Sequence, residues 1–299
     1  MNIAHIGNTA GIASTLALQQ KRRGNSVEVF VFDDLTEKMF GGRIINYNSL
    51  FEKFWFHRKL NSYDIWHYHY PHGTLKKNLE KHKKKMKLLK HYHGSDIRIE
   101  GIIDNDFCLV STPDLLKFTP NGNWLPNPLD LDFINKFQVN NFNQVGPIRI
   151  AHYPYYKINS QLADNYSKVL SSLANITDCS LTKIINVKHE TALTMISQSD
   201  IIIGKLMPEM GWFSKFELEG MALRKPVIAY ISDELYDKYK PPIFRTSVST
   251  FKSDLLSLIN DEEVRKELGS KGSDYVKKYH SVDKIVSSLD NYYHKVNYI

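Results

Sequence analysis

Strand-like segments alternate with helix-like ones along almost the whole chain, and that alternation constrains the fold more than any other feature. A strand, a helix and a second strand close as a parallel crossover, so repeated units build parallel sheets with helices on both faces. In the first half, strands are predicted at Ile3–Ile6, Val27–Phe32, Ile65–Tyr70, Leu88–His93 and Phe107–Ser111. The helix between the first two ends at Gly24, a residue suited to a left-handed cap. From Leu125 to Gly146, Pro, Asn and Gly interrupt a stretch of little periodicity, which reads as a linker. A new strand opens at Ile148–Ala151, followed by others at Leu181–Ile185, Ile201–Ile203 and Val227–Ile231. Helices are predicted over 250–259 and 261–278, and an amphipathic one from Val282 to Val296.

A length of 299 residues allows two domains, each able to bury its own core. Hydrophobic residues at 42%, charged residues at 24% and a mean hydropathy of −0.37 describe an ordinary globular chain. Met1 leads straight into the first strand with no basic leader, which predicts a cytoplasmic protein. No run approaches the roughly 18 apolar residues that span a bilayer, so membrane contact is expected only as peripheral docking at the inner face of the cell membrane. Cys108 and Cys179 lie far apart without metal-ligand spacing and read as structural thiols. A net charge of +7 and a pI near 9.1 favour acidic partners: nucleotide phosphates, anionic lipid or nucleic acid. The lysine-rich segment from Lys76 to Lys90 lacks interleaved aromatics, which argues against nucleic acid and leaves a solvated helix or an anionic membrane surface.

Three segments have the residue types for chemistry. GNTAGIASTLALQQKRRG, from Gly7 to Gly24, is a strand-to-helix turn with small residues, which lets backbone N–H groups approach a phosphate. It lacks the full G-x-G-x-x-G spacing, and tight strand-to-helix packing explains it equally well. Histidines cluster at strand ends in DIWHYHYPHG (His67, His69, His72) and KHYHGSDIR (His91, His93). Ligands of an open parallel sheet sit outside the carboxyl ends of its strands, where His72 and His93 fall. His67, His69 and His91 read instead as partly buried imidazoles within the sheet. No carboxylate or Cys completes a metal-ligand set, so no metal is expected. Glycine at 94, after His93, permits close approach of a ligand to the backbone. The third segment, KLMPEMGWFSKFELEGMALRKPVIAYI, runs from Lys205 to Ile231 and places Glu217 and Glu219 on a helix behind a loop containing Gly211. A helix-capping carboxylate accounts for one Glu and leaves the other unexplained.

GWFSKFELEGMALRKPVIAYI resembles the donor-site signature of retaining glycosyltransferases of the large family four, whose usual form is two Glu separated by seven residues in E-A-M-A-x-G-x-P-V. The resemblance continues in AHIGNTAGIAST, HYHGSDIR, STPDLLKFTPNGNWLPNPLDLD and IRIAHYPYYK, in the expected order. It implies an α/β fold of two doubly wound Rossmann-like domains facing across a cleft (GT-B): an acceptor-side domain over 1–140, a nucleotide-sugar domain over 141–281, and a C-terminal helix, 282–299, crossing back to the first domain. It also implies a hexosyltransferase-type reaction in which a nucleoside diphosphate sugar donates to a hydroxyl acceptor, lipid-linked in cell-surface polysaccharide or glycolipid synthesis.

By the M-A-x-x-K-P-V anchor, the ribose-binding Glu falls on Glu219 and the first Glu on Gly211. Glu209 and Glu217 give the pair its spacing in a register shifted by two. Gly211, Trp212 and Phe213 match the Gly-Trp-aromatic loop found in a subset of the family. Lys157 matches a cation that neutralises the leaving diphosphate, with Lys205 or Lys215 as substitutes. His93 and Gly94 match the segment beside the transferred sugar, and Gly11 and Ile12 the backbone at the diphosphate. The resemblance implies catalysis without a bound metal or other cofactor. The missing first Glu suggests a rival reading, a sugar-nucleotide-binding protein without activity.

Overall fold

The computed structural model describes residues 1–32, 40–71, 73–81, 87–98, 101–139, 146–154 and 179–297. They form two units, 1–129 with 279–299, and 130–278.

In the first unit, seven parallel strands run in the order β3-β2-β1-β4-β5-β6-β7: β1 (Asn2–Ile6), β2 (Ser26–Val31), β3 (Arg43–Ile44), β4 (Ile65–His69), β5 (Lys87–Tyr92), β6 (Cys108–Val110) and β7 (Gly122–Trp124). The order reverses between β1 and β4, so the switch point lies between their carboxyl ends, where open α/β sheets take ligands. Alternation along the strands divides the core. Ile3, Val27, Ile65, Leu89 and Leu109 face α1 (Ile12–Arg22) and the C-terminal helix, while Ala4, Ile6, Phe30, Trp66 and Tyr68 face α2 (Leu50–Leu60) and α3 (Gly73–Lys81). α4 (Ser95–Arg98) follows β5.

The lysine-rich segment is not a single helix. Lys76, Lys77 and Lys81 lie on α3, but Lys90 sits within β5, buried and bonded to Asp104 and, at 3.0 Å, to Asp106. Burial costs an ammonium its hydration, and the two carboxylates outweigh that cost, holding Lys90 above its usual range.

The second unit holds a five-stranded parallel sheet ordered β12-β11-β10-β8-β9: β8 (Ile148–His152), β9 (Cys179–Lys183), β10 (Ile201–Ile203), β11 (Val227–Ala229) and β12 (Phe244–Arg245). Around it stand α5 (Leu131–Asn135), α6 (His189–Ser197), α7 (Lys215–Ala222), α8 (Asp233–Tyr239), α9 (Phe251–Asn260) and α10 (Glu262–Tyr279). Here the order reverses between β8 and β10, and the loop after Ile203 leaves the sheet at that point. α5 occupies part of the expected linker, its Asp130 cap accepting the Phe133 N–H.

The last helix, α11 (Val282–Asn297), belongs to the first unit. Ile285, Val286, Leu289 and Tyr293 enter the same apolar cluster as Ile3 and Leu16 of α1. Leu129 and Ser281 pair at the return of the chain, with Leu129 N–H on His280 O at 2.8 Å. Among the described residues, no helix is long and apolar enough to cross a membrane.

Candidate functional site

The strand-to-helix turn after β1 is stitched together by Asn8. Its amide donates to Ser14 Oγ at 2.6 Å and to Gly41 O at 2.8 Å, and its Oδ1 accepts the Ser14 N–H at 3.1 Å. Gly11 caps α1 at φ +73, and a Cβ there would stand 2.7 Å from the Phe40 ring, so both conformation and space require glycine. Its N–H bonds to Asn8 O, and the Ile12 N–H to Thr9 O. These two candidate phosphate donors are therefore held in local bonds, and Ile12 is buried.

The carboxyl ends of β1, β4 and β5 carry five histidines on the face toward α1 and α11. The columns that begin Ile3, Ile65 and Leu89 continue as His5, as His67 and His69, and as His91 and His93. All but His93 are essentially fully buried. Their nitrogens pair in sequence: His5 Nδ1 with His69 Nε2 at 2.9 Å, His69 Nδ1 with His93 Nε2 at 3.0 Å, and His67 Nε2 with His91 Nδ1 at 3.1 Å. Ser111 Oγ bonds both His91 Nε2, at 3.1 Å, and His93 Nδ1. At the other end Gln20 Oε1 takes His5 Nε2 at 2.7 Å, Tyr293 OH meets His67 Nδ1 at 2.9 Å, and Gln20 Nε2 donates to Tyr293 OH at 3.2 Å. The sequence reading of His67, His69 and His91 as buried imidazoles describes their setting, but the links to Gln20, Tyr293 and Ser111 had no sequence signal.

Burial disfavours the imidazolium and depresses all five: His5 to about 4, His93 to about 3, and His67, His69 and His91 well below the usual value, the last three helped by neighbouring imidazoles. Two triads, His5–His67–His69 and His69–His91–His93, bring their nitrogens within 4.8 Å of one another, close enough to suit a cation. Each of those nitrogens is engaged in the hydrogen bonds above, so a metal would have to displace them.

Beyond His93, the Asp96 carboxylate accepts the backbone N–H groups of His93 at 2.8 Å and Gly94 at 2.7 Å. Burial raises Asp96 to about 6 against the pull of those donors. Gly94 packs so closely on Arg98, itself bonded to Asp114 at 2.8 Å, that a Cβ would run into the guanidinium.

In the second unit the two candidate carboxylates have separate roles. Glu217, fully buried, accepts Lys205 N–H at 2.8 Å, Ser214 N–H at 3.0 Å and Ser214 Oγ–H at 2.6 Å, closing a capping box at the start of α7. Gly204 leaves it room, since a Cβ there would be 2.5 Å from Glu217 Cγ. Glu219, two positions and about 200° further round the helix, turns to His189 Nε2 at 2.8 Å and Lys215 Nζ at 3.5 Å. Burial alone would raise its carboxyl, but the Lys215 ammonium and the His189 hydrogen bond prevail and hold it below the usual range. Phe133 stacks beside His189 with centroids 6.0 Å apart. Sequence reasoning missed His189 and Phe133, which lie far from Glu219 in the chain.

Gly211 adopts φ +64 and its carbonyl takes the Ser232 N–H at 3.2 Å. Trp212 and Phe213 are buried and stacked on one another, 4.4 Å between centroids, with Tyr239 edge-on to Trp212 at 5.5 Å, so their side chains belong to the core. Glu209 is exposed, and Lys205 Nζ lies 3.7 Å from Met210 Sδ. Lys157 and His72 lie outside the described residues. Thus Lys205 and Ser214 gather on Glu217, and His189 and Lys215 gather on Glu219, as two adjacent sets on α7.

No protein-family model and no curated protein matches the sequence. Solved structures do. Sucrose-phosphate synthase from Thermosynechococcus elongatus aligns over 99% of both chains at 14% identity with a TM-score of 0.65. An alpha-glucosyltransferase in complex with UDP and a 13-mer DNA aligns over 98% of this chain and 99% of its own, at 9% identity and a TM-score of 0.67. Anabaena HepE in complex with UDP and glucose aligns over 97% and 98%, at 12% identity and 0.65. At such identities the likeness concerns backbone alone, and by it the chain has the fold of the GT-B glycosyltransferases.

Proposed function

We propose that the protein is a glycosyltransferase that moves a hexose from a nucleoside diphosphate sugar to a hydroxyl acceptor, with retention at the anomeric carbon. The observation that carries this reading is a fold shared end to end with glycosyltransferases, two of which were solved with UDP bound. In the reaction, the acceptor oxygen bonds to the anomeric carbon as the bond to the diphosphate breaks, and the acceptor proton leaves with the diphosphate. The demand on the protein is stabilisation of the departing negative charge. Lys157, Lys205 and Lys215 are the cations assigned to it, Glu219 accepts the ribose hydroxyls, and the His93–Gly94 segment meets the sugar. We assign no metal to the step, so transfer should persist in EDTA, and its loss with recovery on adding manganese would reject that assignment. The acceptor is proposed to be lipid-linked, with Lys76, Lys77 and Lys81 of α3 favouring an anionic surface. Equal sedimentation with neutral and anionic vesicles at low salt would count against that docking.

Gly211 in the place of the first family Glu favours a second reading, a sugar-nucleotide-binding protein without transfer. A thermal-shift screen of nucleotide sugars tests the shared part of both readings, because a ligand at a hundred times its Kd stabilises the folded protein by about 2.7 kcal/mol. Incubating the stabilising donor with candidate acceptors separates them: transfer supports the enzyme, and binding alone supports the second reading. No shift with any nucleotide sugar would overturn both.

A further inference from the structure

The contacts of the five histidines close into a ring of eight groups: Gln20, His5, His69, His93, Ser111, His91, His67, Tyr293 and back to Gln20. A neutral imidazole has one N–H and one bare nitrogen, and a hydroxyl can likewise donate once and accept once. Each member therefore gives one hydrogen bond and receives one, and the ring is complete only when every bond points the same way round. The Gln20 amide sets that direction, since its Nε2 donates to Tyr293 and its Oε1 accepts from His5. It follows that all five imidazoles carry their proton on Nε2. His93 gives its proton to His69 and takes one from Ser111 at Nδ1.

We propose that this ring locks His93 in one neutral tautomer and admits a sugar hydroxyl, and no charged group, at that residue. Gln20 on α1 and Tyr293 on α11 act as positioning residues. The inference rests on the glycosyltransferase reading for its ligand, and on geometry alone for the lock. His93 is the ring's one partly exposed member and Ser111 its neighbour at the carboxyl edge of the sheet. A hydroxyl inserted between them donates to His93 Nδ1 and accepts from Ser111, so the ring enlarges by one and every other bond keeps its direction. A carboxylate has nothing to donate to Nδ1, and an ammonium cannot accept from Ser111. Either would leave a buried polar group unpaired, which is the strongest basis for rejecting a close analogue.

The lock is read by 15N NMR of histidine-labelled protein at pH 7.5. Five neutral Nε2–H imidazoles are expected, and a tautomer mixture or an imidazolium at His93 would overturn it. Tyr293→Phe removes one link, and the milder Gln20→Leu keeps the test open should that variant fail to fold. In either, His93 should become a tautomer mixture, and preference for the accepted sugar nucleotide over its uronate counterpart should fall roughly tenfold. Binding of free UDP should stay unchanged. Unaltered tautomers and preference in a folded variant would refute the proposal, while failure of the wild type to bind UDP or any nucleotide sugar would strike the glycosyltransferase reading and leave the tautomer result standing.

Discussion

Glu217 and Glu219 stand two positions apart on one helix and meet different fates because successive positions turn by about 100°. Glu217 turns back to the loop and accepts three hydrogen bonds from Lys205 and Ser214, while Glu219 turns to His189 and Lys215. The expected outcomes separate accordingly. On the proposed ribose role of Glu219, Glu219→Ala should weaken nucleotide binding at least about tenfold with the fold intact, since charge-assisted hydrogen bonds are worth roughly 1.5–3 kcal/mol each. Glu217→Ala should cost roughly 1–3 kcal/mol of stability by orphaning buried donors, with affinity nearly intact in the folded fraction. Calorimetric titration and thermal melts of both variants check this, and a larger affinity loss in Glu217→Ala would reverse the assignment. Helix periodicity made the divergence of the two side chains legible in the sequence. The partners were not, because His189 reaches Glu219 from another helix and no local spacing connects them.

At the scale of elements, the histidine ring makes the first sheet acid-sensitive. Each of its imidazoles has a folded value below the 6.5 of the free group, so the unfolded chain takes up protons first as pH falls. The stability they preserve is complete above about pH 6.5 and is lost as pH drops below it. One unit lower, each costs about 1.4 kcal/mol and the five together about 7, comparable with the whole stability of a typical domain. His280, depressed to about 4, acts in the same direction within the first unit. The first unit should therefore unfold cooperatively between roughly pH 5 and 6, followed by far-UV circular dichroism. Retention of native signal at pH 4.5 would contradict this. The strands that hold the ring were readable from their apolar runs, with edges displaced by a residue or two. β3, β7 and β12 were not, because two or three residues carry too little alternation to stand out from a loop.

Over the whole molecule, chain order and unit membership diverge. The chain leaves the first unit at Leu129, forms the second, and re-enters the first at Tyr279. Punctuation near 125–146 marked the passage, but Asp130 begins the second unit ahead of the expected 140, since a short capped helix needs little apolar periodicity to form. The return has an energetic consequence. α11 buries Ile285, Val286, Leu289 and Tyr293 against α1 and the sheet, and each such side chain contributes up to about 1.5–3 kcal/mol. Their sum, on the order of 10 kcal/mol, matches the entire stability of an ordinary domain. Tyr293 also closes the ring, so its loss orphans His67 and Gln20. Truncation after Ser281 should consequently abolish the cooperative transition of the first unit and spare that of the second, whose cluster around Ile150, Ile203 and Leu255 draws nothing from α11. Differential scanning calorimetry with limited proteolysis checks it. The full chain should resist cleavage in both units, and the truncated one should leave a resistant fragment from the 130–278 region. A truncated chain whose first unit still melts cooperatively would show that α11 is dispensable and that the first sheet holds its fold without it.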